Sequence, residues 1–505
     1  MNSFFPTQRH PDAIQSGASA SPAQSGIWIG GAVLLLILTL SSTQAITLAQ
    51  LLGASLLLFV AIRAYLSWAN TKSTKIPVWA LVCLVHFVYY GMAIFSAART
   101  SPSSFDNGAN LEDSTLTSAM LVGIAGLLAM ALGRKAVVSF GSARGARLRL
   151  IDIGGATPLR IHAMLLAGIA ANIFGVPLVS AALRNVMITI FTTLPLAAFL
   201  WIVLAASARK IEQLDFLLAA GFLVTRVVSG AKFGASLTTI IVPVLLMGLG
   251  AISVSRRVPW RMLCAVACLV LFLQPSKGVV RGEMESGDLA GNGLKIAMRW
   301  IETAASGWTD VFAGRVPLES QIVSAASRSS LLTMTGVVLE MTPGIVPYQH
   351  GVSYPLLLQA LIPRIFWADK PSVNVANQFF QVEYGLTDPE NLSGVSIACG
   401  FEAEGYMNFG WLGVLGVGML VGAAVGYYEM VFFSPHTAMA TTAVGLAILP
   451  GFLAIESQLV QYLGGIVQIV FAAMIVFHDA KAGRSSYGGA NRVKAGGLPS
   501  AVAGD

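Results

Sequence analysis

Charge is scarce in this chain. Asp, Glu, Lys and Arg supply only 11% of its 505 residues, about half the share carried by an ordinary soluble domain. Cysteine is scarcer: Cys83, Cys264, Cys268 and Cys399 are the four. The first three fall inside apolar runs, so Cys399 has no partner for a disulfide outside them, and no spacing suits a metal. Also missing are a Walker phosphate loop, a His-Glu-x-x-His zinc helix, an Asp-x-Asp sugar-nucleotide motif and a nucleophile elbow. Energy for any reaction must then arrive with the substrate or from a gradient, and neither a cofactor nor a metal is expected. Short strands of alternating polarity are absent too, which argues against a β-barrel.

Hydrophobic residues make up 55% of the chain and its mean hydropathy is +0.73. Apolar runs recur from Ile27 almost to the C-terminus, and a helical crossing of a bilayer takes roughly 20 such residues. Backbone groups in hydrocarbon must bond internally, so these runs predict helices. The expected fold is an all-α, polytopic membrane bundle of twelve spans. They lie near 27–43, 46–62, 78–97, 117–133, 161–180, 186–206, 213–228, 235–253, 259–274, 409–427, 437–455 and 459–477. Residues 1–26 are polar and rich in Ser, Ala and Gln. They precede any apolar region and predict a disordered cytoplasmic tail rather than a cleavable signal; 478–505 predicts a second tail.

The formal charge of +7 does not point to nucleic acid once the charges are placed, because most fall in short loops between spans. Nineteen basic residues lie on one side of the predicted bundle, among them Arg63, Lys72, Lys75, Arg134, Lys135 and Arg256, against Arg99, Arg184 and Lys232 in the short opposite loops. The positive-inside rule then makes both termini cytoplasmic and puts 275–408 outside as one large extracytoplasmic loop. That loop holds thirteen acidic and eight basic residues. A loop of this length is usually functional. Within it, Leu318–Met341 reads as a helix, and Tyr354–Trp367 as a short apolar segment at the interface or dipping into the membrane.

Three groups of residues stand out. Arg226 lies inside a span and Lys232 opens the next, in the turn Ser229-Gly230-Ala231-Lys232-Phe233-Gly234. Ionisable groups inside a membrane are expensive and tend to mark function, here an anion site for phosphate oxygens; snorkelling to headgroups is the plainer reading, above all for Lys232. The second group runs from His350 to Lys370. Arg364 can clamp a phosphate bidentately, Lys370 offers a point charge, and Tyr354 and Trp367 suit sugar stacking or interfacial anchoring. For Lys370 a surface ion pair, and for His350 an ordinary loop histidine, are the structural alternatives. The third is Gly400-Phe401-Glu402-Ala403-Glu404-Gly405-Tyr406-Met407-Asn408-Phe409-Gly410. It places two carboxylates at the outer mouth of span ten, where partial desolvation favours a general base, or where acids simply start a helix. Gly418, Gly422 and Gly426, four residues apart, read as helix packing.

The order Gly-x-Ser-Tyr (351–354), Ile-Pro-Arg…Trp…Asp-Lys-Pro (362–371), Tyr-Gly (384–385) and Glu-Gly-Tyr-x-Asn-Phe-Gly-x-x-Gly (404–413) resembles bacterial oligosaccharide-repeat-unit polymerases of the Wzy type. The turn at 229–234 resembles their Gly-Ser-Arg-Gly turn, with Lys232 in place of Arg. The resemblance implies a GT-C-like inner-membrane glycosyltransferase. It would move a chain from undecaprenyl diphosphate onto a hydroxyl of an incoming lipid-linked repeat unit. Its partners would be the polyprenyl-diphosphate-linked oligosaccharide, membrane lipids, a flippase and a chain-length regulator. Glu404, then Glu402, then His350 would be the general base; Arg226, Lys232, Arg364, Lys370, Tyr354, Trp367 and Asn408 would bind substrate. An O-antigen-type ligase and a non-enzymatic transporter or flippase are the alternatives. The transporter is disfavoured because the charges gather at the outer face rather than at the bilayer midplane.

Overall fold

The longest apolar runs become the longest helices. The computed structural model describes residues 46–95, 110–143, 157–176, 187–208, 211–234, 237–286, 289, 293–317, 331–360, 362, 367, 370–372, 374–392 and 397–477. Among these every regular element is a helix and no β-strand occurs. In chain order they are α1 (Leu48–Thr71), α2 (Val78–His86), α3 (Asp113–Ala143), α4 (Pro158–Phe174), α5 (Leu194–Ser207), α6 (Gln213–Gly234), α7 (Leu237–Ser255), α8 (Trp260–Leu273) and α9 (Ser276–Glu285). There follow α10 (Gly293–Phe312), α11 (Leu331–Met341), α12 (Pro355–Ala360), α13 (Val375–Glu383), α14 (Gly400–Phe432), α15 (Met439–Leu453), α16 (Leu459–Gly464) and α17 (Ile466–Phe477).

Among the described residues six helices are long and apolar enough to cross a membrane: Leu48–Thr71, Asp113–Gly141, Thr189–Ser207, Gln213–Gly230, Gly400–Phe432 and Leu459–Phe477. A seventh arises if Arg261–Leu273 and Gly278–Met284, bent by 56°, form one broken span. The predicted spans 78–97, 161–180, 235–253 and 437–455 coincide with apolar helices whose described lengths fall short of that test, at Val78–Ile94, Pro158–Phe174, Ile241–Ser255 and Met439–Leu453. The predicted span 27–43 and both predicted tails lie outside the described residues.

Local chemistry sets the ends of these helices. Thr47 and Gln50 form a capping box at the start of α1, which satisfies two amides that a helix N-terminus leaves open. Gln50 also donates through Nε2 to Asp113 O at 3.3 Å, which ties the starts of α1 and α3 together. α2 runs on through a π-turn, Phe87–Gly91, and a 3-10 turn, Met92–Phe95.

The closest packing joins α3 to α14. A Cβ on Gly422 would stand 2.0 Å from Met130 O, on Gly418 2.7 Å from Gly126 O, and on Gly133 2.0 Å from Met419 O. Only glycine permits these backbone approaches. Lipid tails are as apolar as leucine, so helices in a bilayer gain from such contact rather than from burial alone. The glycine repeat is thus a packing stripe, as its spacing predicts.

α14 is not one rod. Phe409 (φ −143°, ψ 19°) and Gly410 (φ 60°, ψ −144°) leave helical geometry, and a Cβ on Gly413 would lie 1.9 Å from Gly405 O. Eight residues of continuous helix would hold those two glycines about 12 Å apart. A short arm, 400–408, therefore folds back beside a long arm, 411–432. The stretch expected as an outer loop also enters the bundle: Leu332, Val337, Val338 and Met341 of α11 are fully buried, packed on α3 and α14. The first part of the helix predicted at 318–341 lies outside the described residues; its second part is α11.

Candidate functional site

The short arm carries both predicted carboxylates inward. They are buried rather than partly exposed: Glu402 is 0% and Glu404 1% exposed. The arm doubles back from Gly410, so acids that sequence order puts ahead of a span are folded against it. Glu402 Cγ lies against Gly126, where a Cβ would approach it to 2.6 Å; Gly126 is near the middle of the Asp113–Gly141 span.

Glu402 and Glu404 face different partners, as neighbours two apart on a helix must. Glu402 Oε1 meets His86 Nε2 at 2.8 Å with both side chains fully buried, and the ring's Nδ1 lies 2.9 Å from Val82 O. Tyr90 stacks on the imidazole and Phe401 meets it edge-on. Glu404 Oε2 accepts the Leu459 N–H at 2.7 Å. Its Oε1 is buried without a full hydrogen bond, as is Glu402 Oε2, although the Ser353 hydroxyl interacts with the Glu404 carboxylate.

Asn408 joins the arm to the segment 349–354. Its Oδ1 accepts Gly351 N at 2.8 Å, its Nδ2 donates to Ser353 Oγ at 3.2 Å and to Glu404 O at 2.9 Å, and its carbonyl accepts His350 N at 3.2 Å. Gln349 N donates to Met407 O. Positive φ at His350 (49°) and Gly351 (86°) turns the chain there, and Gly351 is suited to it because it lacks a Cβ. Tyr354 lies against the break, its ring 6.2 Å from Phe409. The structure thus brings Glu404, Asn408, Ser353 and Tyr354 together with the backbone of His350. The His350 side chain is exposed.

The remaining predicted residues divide. Lys370 is buried, and its Nζ donates to Ala360 O at 3.1 Å and Ile362 O at 2.9 Å. It ties down the end of α12; Asp369, its expected surface partner, lies outside the described residues. Trp367 is 37% exposed. Arg226 is half-buried on α6 and makes no hydrogen bond or ion pair among the described residues. α6 packs on α4, α5, α7 and α10, whereas α14 packs on α2, α3, α11, α15 and α16. No described bond brings Arg226 to the carboxylates. Lys232 belongs to the last turn of α6, with its side chain outside the described residues, as is all of Arg364.

Three ionisable groups, two buried and one half-buried, escaped the sequence reading. His86 is one. Glu429 is another: 2% exposed, it binds Arg134 Nε at 2.5 Å and Trp79 N at 3.0 Å. The third is Glu456, whose carbonyl accepts Gly400 N, at the foot of the arm, at 2.8 Å. Glu456 also lines an apolar cavity of about 650 Å³ walled by α1, α2, α7 and α15, with Tyr65, Trp68, Phe87 and Leu246 among its lining residues. An ionisable residue within an apolar run was the available signal for His86 and Glu429.

Among the described residues no group of three or more His, Cys, Asp and Glu side chains is placed to hold a metal. No family model, no curated protein and no solved structure matches the chain.

Proposed function

We propose that this chain is an inner-membrane glycosyltransferase that polymerises oligosaccharide repeat units carried on a polyprenyl diphosphate, working at the outer face with both termini in the cytoplasm. The observation that carries this reading is the Asn408 junction. Two stretches of the polymerase-like pattern, 351–354 and 404–413, are remote in sequence and meet through its side chain. The cavity beside Glu456 supports a lipid-linked donor, being apolar, about 650 Å³ in volume and adjacent to the foot of the arm.

In this reaction the acceptor hydroxyl oxygen bonds the anomeric carbon of the donor sugar as the bond from that carbon to the diphosphate oxygen breaks. The hydroxyl proton passes to a base and the diphosphate leaves with the bonding pair. Glu404 is the base in this reading: Leu459 N–H holds one oxygen, and the other has no full hydrogen bond although the Ser353 hydroxyl interacts with the carboxylate. Since Glu404 is 1% exposed, a sugar reaches it only when 349–354 lifts from Asn408. Arg226 and Arg364 would stabilise the departing diphosphate, whose charge grows in the transition state.

One observation favours a second reading, a transporter: the His86–Glu402 pair is buried level with the middle of α3, where ionisable residues mark ion and substrate paths. The experiment that separates them is Glu404→Gln in cells. A base variant stops polymer at least 100-fold, by the usual weight of general-base catalysis, while lipid-linked single units accumulate and donor binding persists. Normal polymer from that variant refutes the role of Glu404.

A further inference from the structure

Arg134 and Glu429 border a polar hollow that their own pairing does not neutralise. It has a volume of about 340 Å³ and lies between the second half of α1, the start of α2 and the far ends of α3 and α14, within the size range of small-ligand sites. Its charged lining is Arg63, Arg134 and Glu429. Both oxygens of the Glu429 carboxylate are taken, Oε2 by Arg134 Nε at 2.5 Å and Oε1 by the Trp79 N–H at 3.0 Å. That pair is neutral and fastens α14 to α3 and α2. One positive charge, Arg63, is left over.

The arginines also hold donors in reserve. Among the described residues the Arg63 side chain makes no hydrogen bond or ion pair, and Arg134 bonds only through Nε, its guanidinium 5.5 Å over the Trp79 ring. Its two terminal amino groups are therefore open. A guanidinium fork matches the oxygens of a phosphate, and two forks can share one. Ser67 and Ser73 bring hydroxyls to the same hollow. The rim is basic as well, since Arg256 Nη1 donates to the carbonyl of Thr74, a lining residue.

α1 supplies the rest of an amphiphile's outline. Leu48, Leu52, Leu56 and Phe59 are all exposed, and their spacing of four, four and three residues puts them on one helix face. Arg63 and Ser67, also exposed, continue that face at four-residue steps. The apolar stretch from Leu48 to Phe59 is about 16 Å long, close to half the hydrocarbon thickness of a bilayer. Arg63 and Arg134 stand within about 12 Å of the ends of the Leu48–Thr71 and Asp113–Gly141 spans, at the end where the basic residues gather.

We propose that this hollow binds the phosphate of an anionic membrane phospholipid, with Arg63 and Arg134 on the phosphate oxygens and an acyl chain along the Leu48–Phe59 face of α1. The surplus positive charge favours a headgroup with a net negative charge; a zwitterionic headgroup brings an ammonium into a pocket that already has a cation to spare. Glu429 does not repel the phosphate, because both its oxygens are held. The site is separate from the arm 400–408 and the Asn408 junction, and it holds whether the chain polymerises glycans or transports them.

The test is native mass spectrometry of the full-length protein in neutral detergent, titrated with dioleoylphosphatidylglycerol or with dioleoylphosphatidylcholine. The wild type is expected to take its first phosphatidylglycerol about 10-fold more tightly than phosphatidylcholine. Arg63→Gln should weaken that binding by about 10- to 100-fold, the usual weight of a hydrogen bond to a charged group. Arg257→Gln removes the same charge from the turn between α7 and α8, beside Arg256 but outside the pocket, and should leave the binding unchanged. Both arginines are exposed, so neither change endangers the fold. Equal weakening in the two variants, no weakening in Arg63→Gln, or equal affinity of the wild type for the two lipids overturns the proposal. Glycerol 3-phosphate as competitor separates the sources of phosphate: failure to displace the lipid at equal concentration supports a lipid headgroup, and displacement refutes it in favour of a soluble ester.

Discussion

Asn408→Ala is the sharpest perturbation of the junction. The side chain is 1% exposed, and two of its hydrogen bonds cross to the segment 349–354, to Gly351 N and Ser353 Oγ. Each contributes about 1 kcal/mol net, and the Gly351 N–H left without a partner adds about 1–2 kcal/mol. The backbone bonds from Gln349 N and His350 N to the arm survive the change. Opening of 349–354 should therefore become easier by about 3–4 kcal/mol in Asn408→Ala, roughly 150- to 900-fold. Ser353→Ala removes the bond from Asn408 and the hydroxyl's interaction with Glu404 but strands nothing on the backbone, so about 1–2 kcal/mol, roughly 5- to 30-fold, is expected. Amide exchange at 351–354 in the membrane-embedded chain reads both effects. Equal protection in Asn408→Ala and the wild type, or a larger loss in Ser353→Ala, refutes the junction as the anchor of that segment.

Two further outcomes test the frame around the site. Gly422→Val drives a Cβ to within 2.0 Å of Met130 O and must push α3 and α14 apart; a fall in thermal stability of several degrees, with loss of activity, is expected, whereas Gly416→Val, with nothing within 4 Å, should be nearly silent. Lys75, in the α1–α2 loop, donates to Thr437 O at 2.6 Å and Thr442 Oγ1 at 3.1 Å, and burial, followed by the Arg256 charge, pushes its pKa from 10.5 to about 8. The unfolded chain then binds more protons than the folded one between about pH 8 and 10.5, so stability should rise with pH across that window. Thermal unfolding should show the rise and Lys75→Met should flatten it; a fall over the same window contradicts the assignment.

Hydropathy made the positions of the helices legible, because the bilayer imposes length and apolarity on any crossing segment. It did not make the path of the chain legible. The run from Gly400 to Phe432 reads as a polar turn followed by a span, and what reverses it is backbone contact between Gly405 and Gly413, which no periodicity reports. Glu402 and Glu404 were found by sequence, but their burial follows from that reversal. His86 sits in Val85-His86-Phe87-Val88 with nothing local to distinguish a ligand from a packed ring; its partner lies 316 residues away. Arg134 was read as an orientation charge, whereas its Nε binds Glu429 and its guanidinium lies 5.5 Å over the Trp79 ring. A charge count records which side an arginine is on and cannot record the acid it pairs with. The pattern residues around Asn408 were recognisable because side-chain types and order survive in one dimension.

The central claim is that this chain joins lipid-linked repeat units into polymer. The most direct measurement is the surface and lipid-linked glycan of cells lacking the gene, separated by size, with the wild-type gene restored as control. The account predicts that long chains vanish and single repeat units on polyprenyl diphosphate remain, reaching the outer leaflet normally, and that restoration returns the polymer. Long polymer persisting without the gene, or single units trapped on the cytoplasmic leaflet, contradicts it.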